Sequence, residues 1–119
     1  MENTRLVVLI SNSACNRKVA ADQSRALVLL DSRRIPYEIV DGVNPATKER
    51  RNELFRICGV RGQYPQFFLT AGDGSPTYIG NWDAVEGIND NSGLPETILE
   101  ANPSILTWDK VLNGGIAAS

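Results

Sequence analysis

Two cysteines and no histidine limit the chemistry that this chain of 119 residues can perform. Cys15 lies where an apolar strand gives way to a helical segment, and the positive end of the helix dipole favours its thiolate form. A dithiol motif would place a second cysteine three residues later, where this sequence has Lys18. Disulfide exchange within one motif is therefore excluded. Cys15 is a candidate nucleophile or ligand-capping thiol, and an inert, half-buried cysteine is the alternative.

Composition excludes several classes of function. Without histidine, the chain has no Ser-His-Asp or Cys-His catalysis and no Cys/His zinc site, and we predict no metal site. A formal net charge of -2 lacks the basic excess that phosphate contacts require, so nucleic acid is not an expected partner. No stretch approaches the roughly 18 apolar residues of a membrane span, and the N-terminus shows no export signal. We therefore expect a cytoplasmic protein with reduced cysteines and no membrane partner.

The order of apolar patterns predicts the elements that must position Cys15. In sequence order they are a strand over 6–10, a helix over 17–33, a strand over 35–40, a helix over 45–58, strands over 66–70 and 77–79, a helix that Asn81 or Asp83 caps and that ends near Ile88, and a helix over 94–101. The first strand, helix and strand form a βαβ unit, whose strands should be parallel. The last two strands, joined by a turn at 71–75, should pair antiparallel.

The second helix has clear start and stop signals. Asn44-Pro45 places a capping side chain before a proline in the first turn, and Gly59 is a typical C-terminal stop. We expect the inner face of this helix to bury three side chains, namely Leu54, Ile57 and Cys58.

We expect one domain over residues 1–102 and a C-terminal extension over 103–119. The extension carries an apolar patch around Trp108 and ends in small residues. The patch is interpreted as a short helix that covers the sheet or a helix, with docking onto a partner as the alternative. The last residues are expected to be mobile.

This order of elements resembles the thioredoxin and glutaredoxin fold: an α/β, three-layer arrangement of a four-stranded mixed sheet flanked by helices, in the order β-α-β-α-β-β-α. The segment from Ile10 to Cys15 resembles the strand that leads into the glutaredoxin active site. Glutaredoxins continue with Cys-Pro-Tyr-Cys or Cys-Gly-Phe-Ser, whereas this chain continues with Asn16-Arg17-Lys18. Tyr64-Pro65 stands where such proteins place a cis-proline, so the resemblance implies a cis bond before Pro65.

Three stretches within residues 5–101 are similar to the SH3-domain-binding glutamic-acid-rich-like family, glutaredoxin-fold proteins that generally lack the catalytic cysteines. These stretches are Asp22-Gln23-Ser24 in a long first helix, the passage from Arg34 to Asp41, and Tyr78-Ile79-Gly80-Asn81-Trp82-Asp83-Ala84, which is similar to Tyr-x-Gly-Asp-Tyr-Asp-Ala. The chain departs from the family in two ways. Gln63-Tyr64-Pro65-Gln66 replaces a proline-rich segment, so SH3 binding is not predicted, and the glutamate-rich tail is absent.

The resemblance also implies a ligand groove. Its residues are Asn12, Arg17, Lys18, Tyr64, Pro65, Gly80, Asn81, Trp82 and Asp83. Asn12 replaces the lysine with which glutaredoxins hold glutathione, and such a loss costs about 1.5 to 3 kcal/mol. Arg17 or Lys18 could compensate for it and would also lower the pKa of the neighbouring thiol.

Two hypotheses about function follow. The first is a non-catalytic module, without a cofactor, that binds a protein partner or modulates a redox process. The second is a monothiol glutaredoxin-like oxidoreductase, or a glutathione-binding protein, in which Cys15 forms a mixed disulfide. Iron-sulfur binding by Cys15 of two protomers with glutathione is less favoured, because Asn16-Arg17-Lys18 places bulk and charge where cluster-binding proteins have Gly-Phe-Ser. The missing second cysteine and the missing lysine favour the first hypothesis.

Overall fold

A computed structural model describes residues 5–11, 16–59, 63–70 and 76–112 of the chain. Within these ranges it has four strands and five α-helices. In chain order they are β1 (Arg5–Ile10), α1 (Arg17–Ser32), β2 (Tyr37–Asp41), α2 (Lys48–Cys58), β3 (Gln66–Thr70), β4 (Thr77–Asn81), α3 (Trp82–Asn91), α4 (Glu96–Ala101) and α5 (Trp108–Leu112). A 3-10 turn over Pro45–Thr47 precedes α2. The chain is therefore a mixed α/β protein, as the sequence predicts.

The described strands form one mixed sheet in the order β2-β1-β3-β4. β1 runs parallel to β2, and β3 runs antiparallel to both β1 and β4, which confirms both predicted pairings. The predicted turn at 71–75 lies outside the described residues. After Arg5, every side chain of β1 is buried, as expected for a central strand with both faces covered.

The two faces of β1 contact different layers of helices. Leu6, Val8 and Ile10 belong to one apolar cluster, to which α1, α3 and α5 also contribute. Val7 and Leu9 belong to a second cluster, which includes the buried side chains of α2. Helices thus cover both faces of the sheet, and the period-2 alternation of a strand divides one apolar run between two cores.

β2 begins two residues later than predicted, because the backbone of Ile35 takes part in the end of α1. Arg34 adopts a left-handed conformation with φ of 58°, and its N–H donates to the Asp31 carbonyl. The Ile35 N–H donates to the Leu30 carbonyl over 3.0 Å. These two hydrogen bonds form a helix C-terminal cap. The cap leaves Ile35 buried but outside the strand.

The inner face of α2 differs from the prediction at one position. Leu54 is buried and Cys58 is half-buried, but Ile57 is 38% exposed and Phe55 is buried in its place. Successive residues of a helix are turned by about 100°, so a face centred among Leu54, Phe55 and Cys58 turns Ile57 roughly 100° away from the core. Gly59, with φ of 73°, ends the helix as predicted.

The C-terminal part of the described chain packs into the main core. Trp108 and Val111 of α5 are 3% and 0% exposed and belong to the apolar cluster that contains Leu6. The Trp108 indole N–H donates to Asn89 Oδ1 over 3.2 Å, and its backbone N–H donates to Ser92 Oγ over 2.9 Å. Helix α3 therefore continues to Asn91, beyond its predicted end near Ile88, and Asn89 and Ser92 at its C-terminal end bind α5. Residues 113–119 lie outside the described part of the chain.

Candidate functional site

A polar cleft of about 110 Å³ lies where the start of α1, the turn before β3 and the start of α3 meet. Its lining residues are Lys18, Asp22, Gln63, Tyr64, Pro65, Gln66, Asn81, Trp82 and Asp83. The structure thus brings together most of the groove that the resemblance implies, from three stretches that are far apart in sequence.

Two described residues of the implied groove, Arg17 and Gly80, do not line this cleft. Arg17 is the first residue of α1 and is exposed. Gly80 is buried and has φ of 153°, and a Cβ at this position would lie 2.5 Å from Ala84 Cβ. Gly80 therefore allows the chain to pass from β4 into α3, a conformation that other residues rarely adopt. Asn12 and Cys15 lie outside the described residues.

Lys18 and Asp22 form the charged wall of the cleft, one helical turn apart on α1. Lys18 Nζ donates to Asp22 Oδ2 over 2.7 Å, and Arg25 Nη1 lies 3.7 Å from the other carboxylate oxygen. The hydrogen bond that Lys18 donates to Asp22, together with the charge of that carboxylate, raises the pKa of Lys18, so Lys18 remains a cation at neutral pH. Asn16 starts the helix here, since its Oδ1 accepts from the backbone N–H of Lys18 and Val19.

The opposite wall consists of the turn before β3. The Tyr64-Pro65 peptide bond is cis, which confirms the prediction. The Tyr64 ring packs 6.2 Å from the ring of Phe55, centroid to centroid, and lies so close to Gly42 that a Cβ there would come within 2.6 Å of the Tyr64 hydroxyl. Gly42 is therefore required for the position of the Tyr64 ring.

The floor of the cleft includes a buried amide. Gln66 is 1% exposed, and its Oε1 accepts a 2.7 Å hydrogen bond from the Tyr78 hydroxyl. Burial, followed by the charge of Cys58, raises the pKa of Tyr78, so this phenol stays a donor at neutral pH. The predicted groove did not include three of the cleft residues, namely Asp22, Gln63 and Gln66. The spacing of four between Lys18 and Asp22 is the signal that could have found Asp22.

The start of α3 closes the cleft. Asn81 caps this helix, because its Oδ1 accepts a 3.1 Å hydrogen bond from the Ala84 N–H. Of the two predicted caps, Asn81 is therefore the one that the structure shows. Asp83 is exposed in the first turn, where a carboxylate is favoured by the helix dipole. Trp82 is 7% exposed and belongs to the core. The cleft therefore combines one cation and two carboxylates with amide groups.

A buried hydrogen-bonded clamp fixes the end of β1 beside the cleft. Gln23 of α1 accepts from the Ser11 backbone N–H over 2.9 Å and donates through Nε2 to the Ser11 carbonyl over 3.2 Å. Both residues are buried. The clamp satisfies both backbone groups of Ser11 at the point where the chain leaves the sheet toward Cys15.

The described residues contain no group of three or more His, Cys, Asp or Glu side chains arranged to hold a metal ion. Among the helices that the structure describes, none combines the length and apolar character needed to cross a membrane.

No protein-family model matches the sequence, and no curated protein matches it either. Among solved structures, the chain is similar to one described as actin interacting protein 5 (Aip5, wild type), with a TM-score of 0.53 and 18% identity. The similarity covers 72% of this chain and 82% of that chain. At this identity the likeness shows a shared α/β fold and no more.

Proposed function

We propose that this chain is a non-catalytic, glutaredoxin-like protein of the thioredoxin fold that binds a segment of a cytoplasmic protein partner in the polar cleft. The observation that carries the proposal is the cleft itself, in which residues from α1, the Tyr64-Pro65 turn and α3 converge. The sheet order and the sequence similarity to the SH3-domain-binding glutamic-acid-rich-like family support the fold assignment.

The size of the cleft favours a partner's segment over an enclosed small molecule. A volume of about 110 Å³ is well below the roughly 300 to 1,000 Å³ of pockets that surround drug-sized ligands. The cleft has room for one side chain or a few backbone groups. Its amides and carboxylates offer hydrogen-bond partners to an extended chain that lies across it.

The charge arrangement disfavours glutathione chemistry. Lys18 occupies the position of a second cysteine, and its ammonium group is bound to Asp22 over 2.7 Å. A cation that is already paired with a carboxylate contributes less binding free energy to a second carboxylate, such as that of glutathione. The cleft therefore has neither a resolving thiol nor a free cation for the ligand among its described residues.

An NMR titration of the full chain with reduced glutathione tests this proposal. We expect no saturable shifts of the Lys18, Gln66, Asn81 and Asp83 amides at millimolar ligand. We also expect equal, background reduction of a glutathione mixed disulfide by the wild-type chain and by Cys15→Ser. Saturable shifts confined to the cleft, together with turnover that Cys15→Ser abolishes, would show that the monothiol alternative is correct.

Actin is the first protein partner to test, because the structural neighbour is described as an actin interacting protein. Co-sedimentation with filamentous actin would compare the wild-type chain with Asp83→Lys, which reverses an exposed charge in the cleft. Glu100→Lys on α4 is the matched control, since this carboxylate is also exposed and lies outside the cleft. Binding through the cleft requires loss with the first variant and retention with the second.

A further inference from the structure

A second groove, of about 500 Å³, lies between α1 and α3 on the other side of Trp82 from the cleft. Its lining residues are Ser24, Arg25, Val28, Leu29, Ser32, Trp82, Glu86, Asn89 and Asp90. Val28 is 67% exposed, which is the highest exposure among the large apolar side chains of the described residues. Leu29 and Trp82 continue the apolar surface from Val28 into the core. The groove is therefore an apolar depression that the protein's own described side chains leave uncovered.

Two carboxylates on α3 border this depression. Glu86 and Asp90 are one helical turn apart, so their side chains lie on the same face. Within the part of the chain that the structure describes, neither carboxylate forms an ion pair. Like charges at this spacing repel each other, so a cationic ligand would relieve an unfavourable interaction as well as add a favourable one.

The two cations near the groove, Arg25 and Arg33, come from α1 and its C-terminal end. Arg25 lines the groove from α1 but lies 3.7 Å from the Asp22 carboxylate. Arg33 donates through Nε to Asn89, an amide that also lines the groove. The α3 side of the groove is nevertheless negative, because α3 carries Asp83, Glu86 and Asp90 and no lysine or arginine.

We propose that this groove is a docking surface for an amphipathic segment of a protein partner, with apolar side chains against Val28 and Trp82 and lysine or arginine side chains against Glu86 and Asp90. The volume lies within the range of pockets that accommodate several side chains. The unpaired carboxylates select basic over acidic segments. The proposal goes beyond the cleft and does not depend on it, because among the described residues Trp82 alone lines both.

Three synthetic peptides test the proposal on the full chain. Each has twelve residues. The first has leucines at i, i+3, i+4 and i+7 spacing and lysines elsewhere, and the second has the same leucines with glutamates elsewhere. The third has the same composition as the first, but its leucines are scattered so that they do not share one helix face. At low salt, we expect the first peptide to give saturable NMR shifts in 24–32 and 85–90, and the other two to bind at least about tenfold more weakly.

Variants of the protein separate the two parts of the recognition. Val28→Ser should weaken the first peptide about fivefold by removing apolar contact area. The double variant Glu86→Gln/Asp90→Asn should weaken it about threefold to tenfold at low salt, and this difference should shrink in high salt. Both changes are at the surface, so the fold should be unaffected.

Matched controls lie on α4, away from the groove. Ile98→Ser removes an apolar side chain that is 44% exposed, and Glu96→Gln/Glu100→Gln removes two exposed carboxylates at the same spacing of four. Both should bind like the wild type. Equal binding of all three peptides, or of the groove variants and these controls, would overturn the proposal.

Two further outcomes would also overturn it. Shifts that map to the cleft amides instead of α1 and α3 would assign the peptide to the cleft. Groove shifts that appear with protein concentration alone, and that Val28→Ser removes, would identify a second copy of the chain as the occupant. Because the cleft and the groove report through different amides, failure of one proposal is distinguishable from failure of the other.

Discussion

The clamp between Gln23 and Ser11 gives a sharp test of how α1 holds the end of β1. The Gln23 amide makes two hydrogen bonds, of 2.9 and 3.2 Å, to the backbone of Ser11. The two residues are 9% and 7% exposed, so water reaches these groups incompletely. Replacing Gln23 by methionine keeps the length of the side chain but removes both bonds and leaves the Ser11 N–H and carbonyl without their partner.

The expected cost of Gln23→Met follows from these contacts. A hydrogen bond contributes about 1 kcal/mol net, and a buried backbone group that loses its partner costs about 1 to 3 kcal/mol. Because partial hydration and the added apolar surface offset some of this, we expect the free energy of unfolding to fall by about 2 to 4 kcal/mol. Gln63→Met, at an exposed glutamine, is the matched control and should change it by less than about 0.5 kcal/mol.

Urea unfolding followed by tryptophan fluorescence measures both variants, since Trp82 and Trp108 are buried in the native state. Gln23→Glu adds a pH dependence. A protonated carboxyl group can replace both bonds of the amide, whereas a carboxylate can only accept and would repel the Ser11 carbonyl. The native state therefore raises the pKa of the introduced group, and the cost should appear as the pH rises through the ordinary glutamate value of about 4.3. A deficit that is independent of pH, or equal costs for Gln23→Met and Gln63→Met, would refute this role of the clamp.

Three other predictions concern single side chains. Asp22→Asn should lower the pKa of Lys18 toward its ordinary value, as measured by NMR of the lysine Cε. In the wild type, the contribution of the Lys18–Asp22 pair to stability should be complete below pH about 10.4 and be lost as the pH rises through the raised pKa of Lys18. The hydrogen bond to Asp31 raises the pKa of Tyr37, so Asp31→Asn should bring that phenol back toward about 10 in an NMR titration of the ring carbons, and an unchanged value would contradict the assignment. Trp108→Ala should destabilise the chain by about 3 to 5 kcal/mol in urea unfolding, whereas a side chain that merely rests on the surface would cost less than about 1 kcal/mol.

The sequence was most informative where one physical signal dominates. The apolar run in β1 predicted a strand buried on both faces, and Gly59 predicted the end of α2, because no competing interaction acts at either place. The errors arose where tertiary contacts decide. The start of β2 depended on a C-terminal cap at Arg34, a residue type that does not usually adopt the left-handed conformation. The face of α2 depended on Phe55, whose burial turned Ile57 toward solvent.

The cleft was only partly predictable for the same reason. The resemblance named residues near the chain turns, such as Tyr64 and Asp83, but the residues that hold these turns lie elsewhere in sequence. Gly42 makes room for the Tyr64 ring, and Gln66 is fixed by a bond from Tyr78 across two strands. No local pattern reports such contacts, because each joins residues that are at least twelve positions apart in the chain. The groove between α1 and α3 was not indicated at all, since an exposed Val28 has meaning only after the neighbouring helix is in place.

Trp82 links the two candidate surfaces and therefore cannot be used to tell them apart. The left-handed Gly80 and the Asn81 cap together set the direction of α3, and this direction places the Trp82 side chain between the cleft and the groove. A large-to-small change at this buried side chain would open both surfaces and disturb the core at the same time. Assignment of a partner to one surface must therefore rest on exposed side chains that line only one of them. Lys18 and Asp83 report on the cleft alone, and Val28 and Glu86 report on the groove alone.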